Sequence, residues 1–279
     1  MSAGTTPRLK AAAPPPPLPR PWTGARIAGH VLMALWALAG AYLVYYLANN
    51  VMSDFVRDYW DDYVDGIIIT IQLVALSMAL GAALSLPIAL ARSSRNRLIS
   101  APAYAYVYFF RGTPLLAQTF LIYYGAGSFR PFLSDVGLWW MFRDAWYCAV
   151  LAFTLNTSAY QAEILRGAVQ NIDRGQWEAA AALGLKKGVT FWKVILPQAL
   201  IVALRPYGNE LILMIKGSAI ASIITIYDLM GETRRAYSRS FDFQAYIWAA
   251  VLYLMVVETL RRIWDRLEAR LTRHLSRNG

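Results

Sequence analysis

Two long stretches of this sequence contain no Asp, Glu, Lys or Arg, one from Ile27 to Ser53 and one from Gly66 to Ala91. The hydrocarbon core of a bilayer is about 30 Å thick, and a helix crosses it in roughly 20 residues. Apolar residues make up 57% of the chain and charged residues only 16%, whereas about 25% of a soluble protein is charged. The sequence therefore predicts an all-α integral membrane protein and argues against a soluble enzyme.

Four further apolar segments are shorter or are interrupted by charged residues. Arg111 precedes the first of them, and Glu163 follows the second. Lys216 interrupts the third, and Glu258 ends the fourth. We interpret the chain as a polytopic helical membrane protein with about six transmembrane helices. Their expected bounds are 27–48, 67–91, 103–125, 146–168, 206–226 and 243–262.

The positions of the basic residues predict the orientation of these helices. With the amino terminus in the cytoplasm, 19 of the 27 Lys and Arg residues fall in cytoplasmic tails and loops, and six fall outside. Cytoplasmic loops of membrane proteins carry such an excess, so both termini are expected in the cytoplasm. The formal charge of +10 thus reflects the many basic residues expected on the cytoplasmic side of the membrane. Nucleic acid is not an expected partner, since long uncharged runs separate the basic residues.

The segments outside the predicted helices differ in composition. Residues 1–26 combine a proline run with basic residues, which is typical of a disordered cytoplasmic tail. Residues 49–66 form an acidic and aromatic linker on the outer side, and residues 263–279 form a basic cytoplasmic tail. One cysteine, Cys148, and two distant histidines, His30 and His274, exclude an internal disulfide framework and a histidine metal cluster. We expect no metal and no cofactor on this chain.

The longest cytoplasmic loop, about 170–205, carries the clearest local signals. Asp173 followed by Gln176 is a capping-box pattern for a short helix, and Gly184 is placed to end it. Pro197 is expected to stop or kink a second short helix. Two short helices in a cytoplasmic loop favour a docking element for a partner protein. An interfacial helix pair lying on membrane lipid is an equally good interpretation of the spacing alone.

The same loop resembles a known signature. Glu178-Ala179-Ala180, three residues, Gly184, nine residues, Val194, one residue and Leu196-Pro197 are similar to the EAA signature of ABC importer permeases. The resemblance implies coupling helices that fit a groove on an ATPase subunit. The residues implied to couple to the ATPase are Gly175, Gln176, Glu178, Ala179, Ala180, Gly184, Leu196 and Pro197.

Other motifs narrow the resemblance. Arg111-Gly112-Thr113-Pro114-Leu115-Leu116 with Gln118, and Ala159-Tyr160 with Glu163 and Arg166-Gly167, resemble permeases for polar amino acid uptake. The resemblance covers roughly residues 67–262 and implies an importer in the bacterial inner membrane. The helix at 27–48 is similar to an added amino-terminal anchor. Near the fifth helix of the family, its usual Lys-Asp-Thr-Ser-Leu run appears as Lys216-Gly217-Ser218-Ala219-Ile220.

The resemblance also implies the other components of the system. These are ABC ATPase subunits, which hold ATP and Mg, a second permease that is identical or related, and an external amino acid-binding protein. The chain itself contains no G-x-x-x-x-G-K-S/T phosphate loop, so we expect the motor to be another polypeptide. An ion-coupled secondary carrier is the alternative. No H-E-x-x-H or G-x-S-x-G motif supports a membrane enzyme, and no catalytic residue is expected.

Charged and polar groups at membrane depth are candidates for the substrate path, because burying them there is costly. Glu163 and Arg166, three residues apart, equally fit a structural ion pair. Asn156 and Tyr160 share a helix face, where hydrogen bonds between helices are the alternative to a path. The predicted path residues are Arg111, Asn156, Tyr160, Glu163 and Lys216.

Overall fold

The computed structural model describes residues 22–273, and within them the chain is helical, with no strand. Most of the proline-rich tail predicted for residues 1–26, and the last six residues, lie outside this range. The α-helices are α1 (Gly24–Asn50), α2 (Asp54–Arg92), α3 (Arg97–Gly112), α4 (Leu115–Gly127), α5 (Arg130–Asp135), α6 (Trp139–Phe142), α7 (Ala145–Gln170), α8 (Arg174–Ala182), α9 (Lys187–Thr190), α10 (Leu196–Gly217), α11 (Leu229–Ser240) and α12 (Gln244–Leu271). A π-helical turn covers Phe191–Ile195, and a 3₁₀ segment covers Ser218–Ile224.

The chain divides into two compact units, one up to Arg57 and one from Asp58 onward. In the first unit, α1 buries none of its residues and is apolar around its whole circumference, as a helix in contact with lipid is. By length and hydropathy, three helical stretches of the described chain are able to cross a membrane: Gly24–Asn50, Asp54–Arg92 and Lys187–Ile224. The other helices are shorter or more polar.

Several predicted helix bounds were wrong. Residues 54–66, expected in a linker, form the beginning of α2, and α12 continues through residues 263–271 of the expected tail. The helix predicted at 206–226 begins ten residues earlier, and α-helical geometry gives way to the 3₁₀ segment after Gly217. An apolar run shows which part of a helix lies in the membrane. The helix itself extends beyond that part until a stop signal ends it.

The helix predicted at 103–125 is two helices, because the chain breaks at Thr113 and Pro114. Proline lacks an amide hydrogen and disfavours helical geometry in the residue before it. Thr113 is accordingly extended, with φ −115° and ψ 148°, and α4 starts directly after Pro114. The break falls two residues after Arg111, where the sequence places a charged side chain at membrane depth.

Helix α7 is the centre of the second unit. It begins at the cap Asp144, whose carboxylate accepts the Trp146 amide at 2.9 Å. The predicted helix 146–168 is thereby confirmed. Helices α3, α4 and α10 all pack against α7. Its buried residues include Phe153 and small Ala side chains, which let neighbouring helices approach closely. Polar side chains of α7 such as Asn156 and Thr157 therefore reach hydrogen-bond partners on the neighbouring helices.

Helix α11 lies at the end of the unit opposite α8, and a buried carboxylate fixes its start. Asp228 is 0% exposed and accepts the Gly231 amide at 2.9 Å. The amide of Leu229 donates to Thr70 Oγ1 of α2 at 3.0 Å. Gly66 also packs there, since a Cβ on it would lie 2.9 Å from Leu229 Cα. Burial raises the pKa of Asp228 to about 6, despite the hydrogen bonds that favour its charged form.

This raised pKa predicts a pH-dependent stability. The folded protein holds the Asp228 proton more tightly than the unfolded chain, so the stabilisation is complete below about pH 4 and is lost as pH rises through about 6. Asp228→Asn keeps the cap but never ionises. Between pH 4.5 and 7.5 we expect wild-type stability to fall by about 2 kcal/mol more than that of the variant. Thermal unfolding in detergent measures this, with the exposed Asp61→Asn as control. Parallel curves for wild type and Asp228→Asn would contradict it.

Candidate functional site

The short helix α8 has the two ends that its sequence predicts. Asp173 caps the start, with its Oδ1 accepting the Gly175 amide at 2.8 Å. Gly184 ends the helix with φ +72°, a left-handed conformation that glycine adopts without strain. The chain reverses there, and the Leu185 amide donates to the Ala180 carbonyl oxygen at 3.0 Å. The second half of the predicted capping box is different, because Gln176 accepts a hydrogen bond from Gln198 instead.

Helix α8 presents four of the eight predicted coupling residues to solvent. Gly175, Gln176, Glu178 and Ala179 are exposed, whereas Ala180 is buried against the rest of the unit. Beyond the helix, exposed apolar side chains surround the turn, and Leu183 is 79% exposed. Large exposed apolar residues beside small ones are typical of a protein contact surface. We call α8 and the following turn to Leu185 the coupling loop.

Pro197, which was predicted to stop or kink the second short helix, does not stop it. Residues 187–224 form one continuous helical stretch, in which the π-helical turn at Phe191–Ile195 directly precedes Pro197. Pro197 occupies the first turn of α10, where its missing amide hydrogen costs least. Gln198 donates from Nε2 to the Val194 carbonyl oxygen at 2.9 Å and to Gln176 Oε1 at 3.4 Å. Through Gln198, α10 is tied to α8.

The break between α3 and α4 is closed by two buried amides. Gln118 Nε2 donates to the carbonyl oxygens of Phe110 and Thr113 at 3.0 and 3.1 Å. Asn156 Nδ2 on α7 donates to the Phe110 carbonyl oxygen and to Gln118 Oε1, both at 3.0 Å. Asn156 is 7% exposed. Its side chain therefore holds the break against α7, and hydrogen bonding between helices is the role its contacts describe.

Glu163 is the centre of an ion-pair cluster at the coupling-loop end of α7. The predicted pair with Arg166 is formed, with Nη2 2.6 Å from Oε2. Arg92, the last residue of α2, also reaches Glu163, with Nε 3.1 Å from Oε1. The Arg92 guanidinium lies over the Tyr104 ring at 4.7 Å. One carboxylate thus joins α2 to α7 and, through Arg92, contacts α3.

Arg111 lies in the same region, and its guanidinium contacts an aromatic ring instead of a carboxylate. Its guanidinium lies over the Tyr160 ring at 5.2 Å, and within residues 22–273 no carboxylate forms an ion pair with it. A cavity of about 490 Å³ opens between α2, α3 and α7. Arg92, Tyr104, Tyr108, Arg111 and Glu163 are among its lining residues. Three of the predicted path residues, Arg111, Tyr160 and Glu163, therefore lie together at or beside this cavity.

Lys216 does not belong to this group. It is exposed in the last turn of α10, about 30 Å along that helix from Leu196. No ion pair or hydrogen bond of the described chain joins its side chain to the other four predicted residues. Glu210, on the same helix, accepts a hydrogen bond from Thr157 Oγ1 at 2.9 Å.

Sequence reasoning did not assign a site role to Arg92 or to Gln118. Arg92 was treated only as one of the basic residues of a cytoplasmic loop. Its position directly after the uncharged run Gly66–Ala91 was a usable signal, because an arginine there can extend its guanidinium to the membrane surface. Gln118 follows Pro114 by four residues, the spacing at which a side chain reaches carbonyls freed by the proline. Thr157 and Gln161, one turn apart on α7, form a buried polar pair, in which Gln161 Nε2 donates to Thr157 Oγ1 at 3.1 Å. Nothing in the sequence pattern distinguished them from other polar residues of this helix.

The model of one protein family, described as "Binding-protein-dependent transport system inner membrane component", matches residues 81–274. That range contains the coupling loop and most of the residues around the cavity. The chain belongs to this family. Members are permease subunits that span the inner membrane several times and are not enzymes themselves. The resemblance found in the sequence is thereby confirmed.

Individual relatives of this permease agree with the family match. It is 44% identical over 192 residues to the nopaline transport system permease protein NocM of Agrobacterium fabrum, covering 68% of this chain and 80% of NocM. It is 41% identical over 189 residues to the arginine ABC transporter permease protein ArtM of Haemophilus influenzae, covering 67% and 82%.

Two solved structures resemble the fold of the permease. A crystal structure of an amino acid ABC transporter with histidines matches with a TM-score of 0.69 and 36% identity, over 78% of this chain and 99% of that one. An inward-facing structure of the MetNI methionine ABC transporter matches with a TM-score of 0.64 at 22% identity, over 79% and 100%. The second likeness supports the helical fold alone.

The conformation of Gly184 predicts how the coupling loop responds to substitution. A β-branched side chain at φ +72° is strained, whereas asparagine tolerates the left-handed region. We expect Gly184→Val to loosen the last turn of α8 and Gly184→Asn to preserve it. Hydrogen exchange of the α8 amides measures this, with at least tenfold faster exchange expected in Gly184→Val only. Equal exchange in both variants would show that the backbone conformation is unimportant there.

Proposed function

We propose that this chain is the permease subunit of an ATP-driven importer of amino acids, with polar or charged amino acids as the substrate class. The observation that carries the proposal is the coupling loop, a capped and exposed helix that ends at a left-handed glycine. A secondary carrier has no need of such a loop, and the relatives are permeases of ABC and related transport systems.

The coupling loop is the proposed contact for a separate ABC ATPase subunit. Glu178 offers a carboxylate to a basic group, and exposed Ala179 permits close approach. ATP and Mg bind to that ATPase and not to this chain. Because Gln198 ties α8 to α10, movement of the ATPase would tilt α10 and switch the helices between two discrete arrangements.

The remaining components complete the proposed system. A second permease, identical or related, shares the translocation path, and an external binding protein delivers the amino acid. Both termini lie in the cytoplasm, so α8 faces the cytoplasm and α11 faces outward. Residues 67–262 form the permease domain, and the helix predicted at 27–48 is an additional anchor.

The cavity beside Arg111 is the proposed part of the substrate path within this subunit. An amino acid brings a carboxylate, for which Arg111 supplies the guanidinium that has no ion-pair partner among residues 22–273. Tyr160 holds that guanidinium in place by contact with its ring. Glu163 contributes the only carboxylate that lines the cavity, although Arg92 and Arg166 already contact it. Asn156 supports the path by fixing the helix break.

Transport in proteoliposomes tests the proposed energy source. We expect uptake of a radiolabelled amino acid to require ATP, the ATPase and the binding protein, and to survive ionophores that collapse ion gradients. Glu178→Lys should lower uptake at least tenfold without loss of the permease from the membrane, while Arg97→Gln, at an exposed site away from the coupling loop, should not. Uptake that follows an ion gradient without ATP would favour the carrier instead.

Direct binding tests the proposed path. Equilibrium dialysis of labelled amino acids with the purified permease and ATPase, without the binding protein, isolates the site in the membrane. Loss of one charged hydrogen-bond donor costs about 1.5–3 kcal/mol, so Arg111→Gln should raise the Kd by roughly 10-fold or more. Arg111→Lys should restore part of the affinity. An unchanged Kd in Arg111→Gln would remove this cavity from the path.

A further inference from the structure

A second cavity, of about 730 Å³, lies between the ends of α2 and α7 and the inner side of α8. It is separate from the cavity that Arg111 lines. Apolar side chains make most of its wall, among them Leu86 and Leu90 of α2, Val169 of α7 and Phe191. Polar groups are gathered on one side of it, and they include Arg166, Gln170 and Arg174. The cavity is thus amphipathic and large enough for part of a long-chain ligand.

Basic groups outnumber acidic ones at the polar side. Arg166 is held by Glu163 and donates from Nη1 to Gln170 at 3.0 Å. Arg174 is exposed, and its side chain forms no hydrogen bond or ion pair within residues 22–273. Glu178, one turn further on α8, is the only acidic residue in the lining. The lining thus contains two arginines, Arg166 and Arg174, and one carboxylate, so the local field favours an anion.

The cavity lies at the level where α2 leaves the apolar part of the membrane. Leu86 and Leu90 belong to the last turns of a helix apolar enough to span a bilayer, and Arg92 ends that helix. Acyl chains therefore surround the apolar wall, and lipid head groups surround the arginines. A ligand with an apolar chain and an anionic head fits both halves at once.

We propose that this cavity binds an anionic phospholipid of the inner leaflet, with its phosphate at Arg174 and one acyl chain against Leu86 and Leu90. This inference rests on the proposed placement of α8 at the cytoplasmic membrane surface. Ala180 is the one buried residue of α8, so the protein itself braces this helix weakly. Trp177 and Arg174 of α8 line the cavity. The bound lipid supports the coupling loop from its membrane-facing side. ATP-driven transport therefore depends on anionic lipid.

Lipid retention by the purified transporter tests this without reference to transport. The delipidated complex in detergent is incubated with phosphatidylglycerol, with phosphatidylcholine of the same chains, or with palmitate, and bound lipid is counted by native mass spectrometry. We expect at least tenfold preference for phosphatidylglycerol over phosphatidylcholine. Arg174→Glu should lower phosphatidylglycerol retention at least fivefold. Leu90→Trp, which fills the apolar wall at a partly exposed position, should lower retention of both phospholipids.

The matched control is Arg97→Glu, which reverses an exposed arginine outside the cavity and should retain lipid like wild type. Thermal unfolding of each variant checks that it is folded. Equal retention of the two phospholipids, or equal retention by Arg174→Glu and Arg97→Glu, overturns the proposal. Retention of palmitate alone assigns the cavity to a free amphiphile and also overturns it. Cross-linking of Ser93→Cys to a second permease copy would show that protein covers the cavity instead.

The proposed lipid site and the proposed ATP-driven import can be disproved independently. If the chain proves to be an ion-coupled carrier, phosphatidylglycerol retention still reports on the cavity. If lipid is retained without preference, ATP-driven uptake in phosphatidylcholine vesicles stays as high as in vesicles containing one third phosphatidylglycerol. The proposal instead predicts at least threefold faster uptake in the phosphatidylglycerol vesicles for wild type and no difference for Arg174→Glu.

Discussion

Backbone groups at membrane depth have no water to bond with, and each unsatisfied one costs several kcal/mol. The break at Thr113 and Pro114 exposes the carbonyl oxygens of Phe110 and Thr113 to this penalty. Gln118 donates to both oxygens, and Asn156 adds a second donor to the Phe110 oxygen. Because Asn156 also donates to Gln118 Oε1, this contact fixes the break between α3 and α4 against α7.

Glu163 adds a second constraint at the other end of the same cavity. Removing one partner of this partly buried cluster would leave the other charges less well compensated. Because Arg92 and Arg166 both contact Glu163, this carboxylate holds the end of α2 against α7. The polar groups of α7 thus stabilise helix packing, and one of them, Glu163, also lines the cavity beside Arg111.

Local signals in the sequence were sufficient where a single residue decides the conformation. Asp173 and Gly184 delimit α8 as predicted, because a cap and a left-handed glycine act within a few residues. The spacing of Glu163 and Arg166 likewise predicted their ion pair. Neither the contact of Asn156 with Phe110 nor that of Arg92 with Glu163 was predictable, since each joins residues far apart in the chain. Pro197 does not stop the helix, and the π-helical turn directly before it has no simple sequence signal.

The continuous helix from Lys187 to Gly217 has a mechanical consequence. It begins beside the coupling loop and ends near Lys216 and the 3₁₀ segment, so it acts as a lever arm about 45 Å long. A tilt of roughly 10° at one end displaces the other by about 8 Å over that length. Pro206 lies within the arm and removes one of its backbone hydrogen bonds. The π-helical turn before Pro197 also lies within the arm, so a force applied at the loop would pass two irregular points before it reaches the other end of the helix.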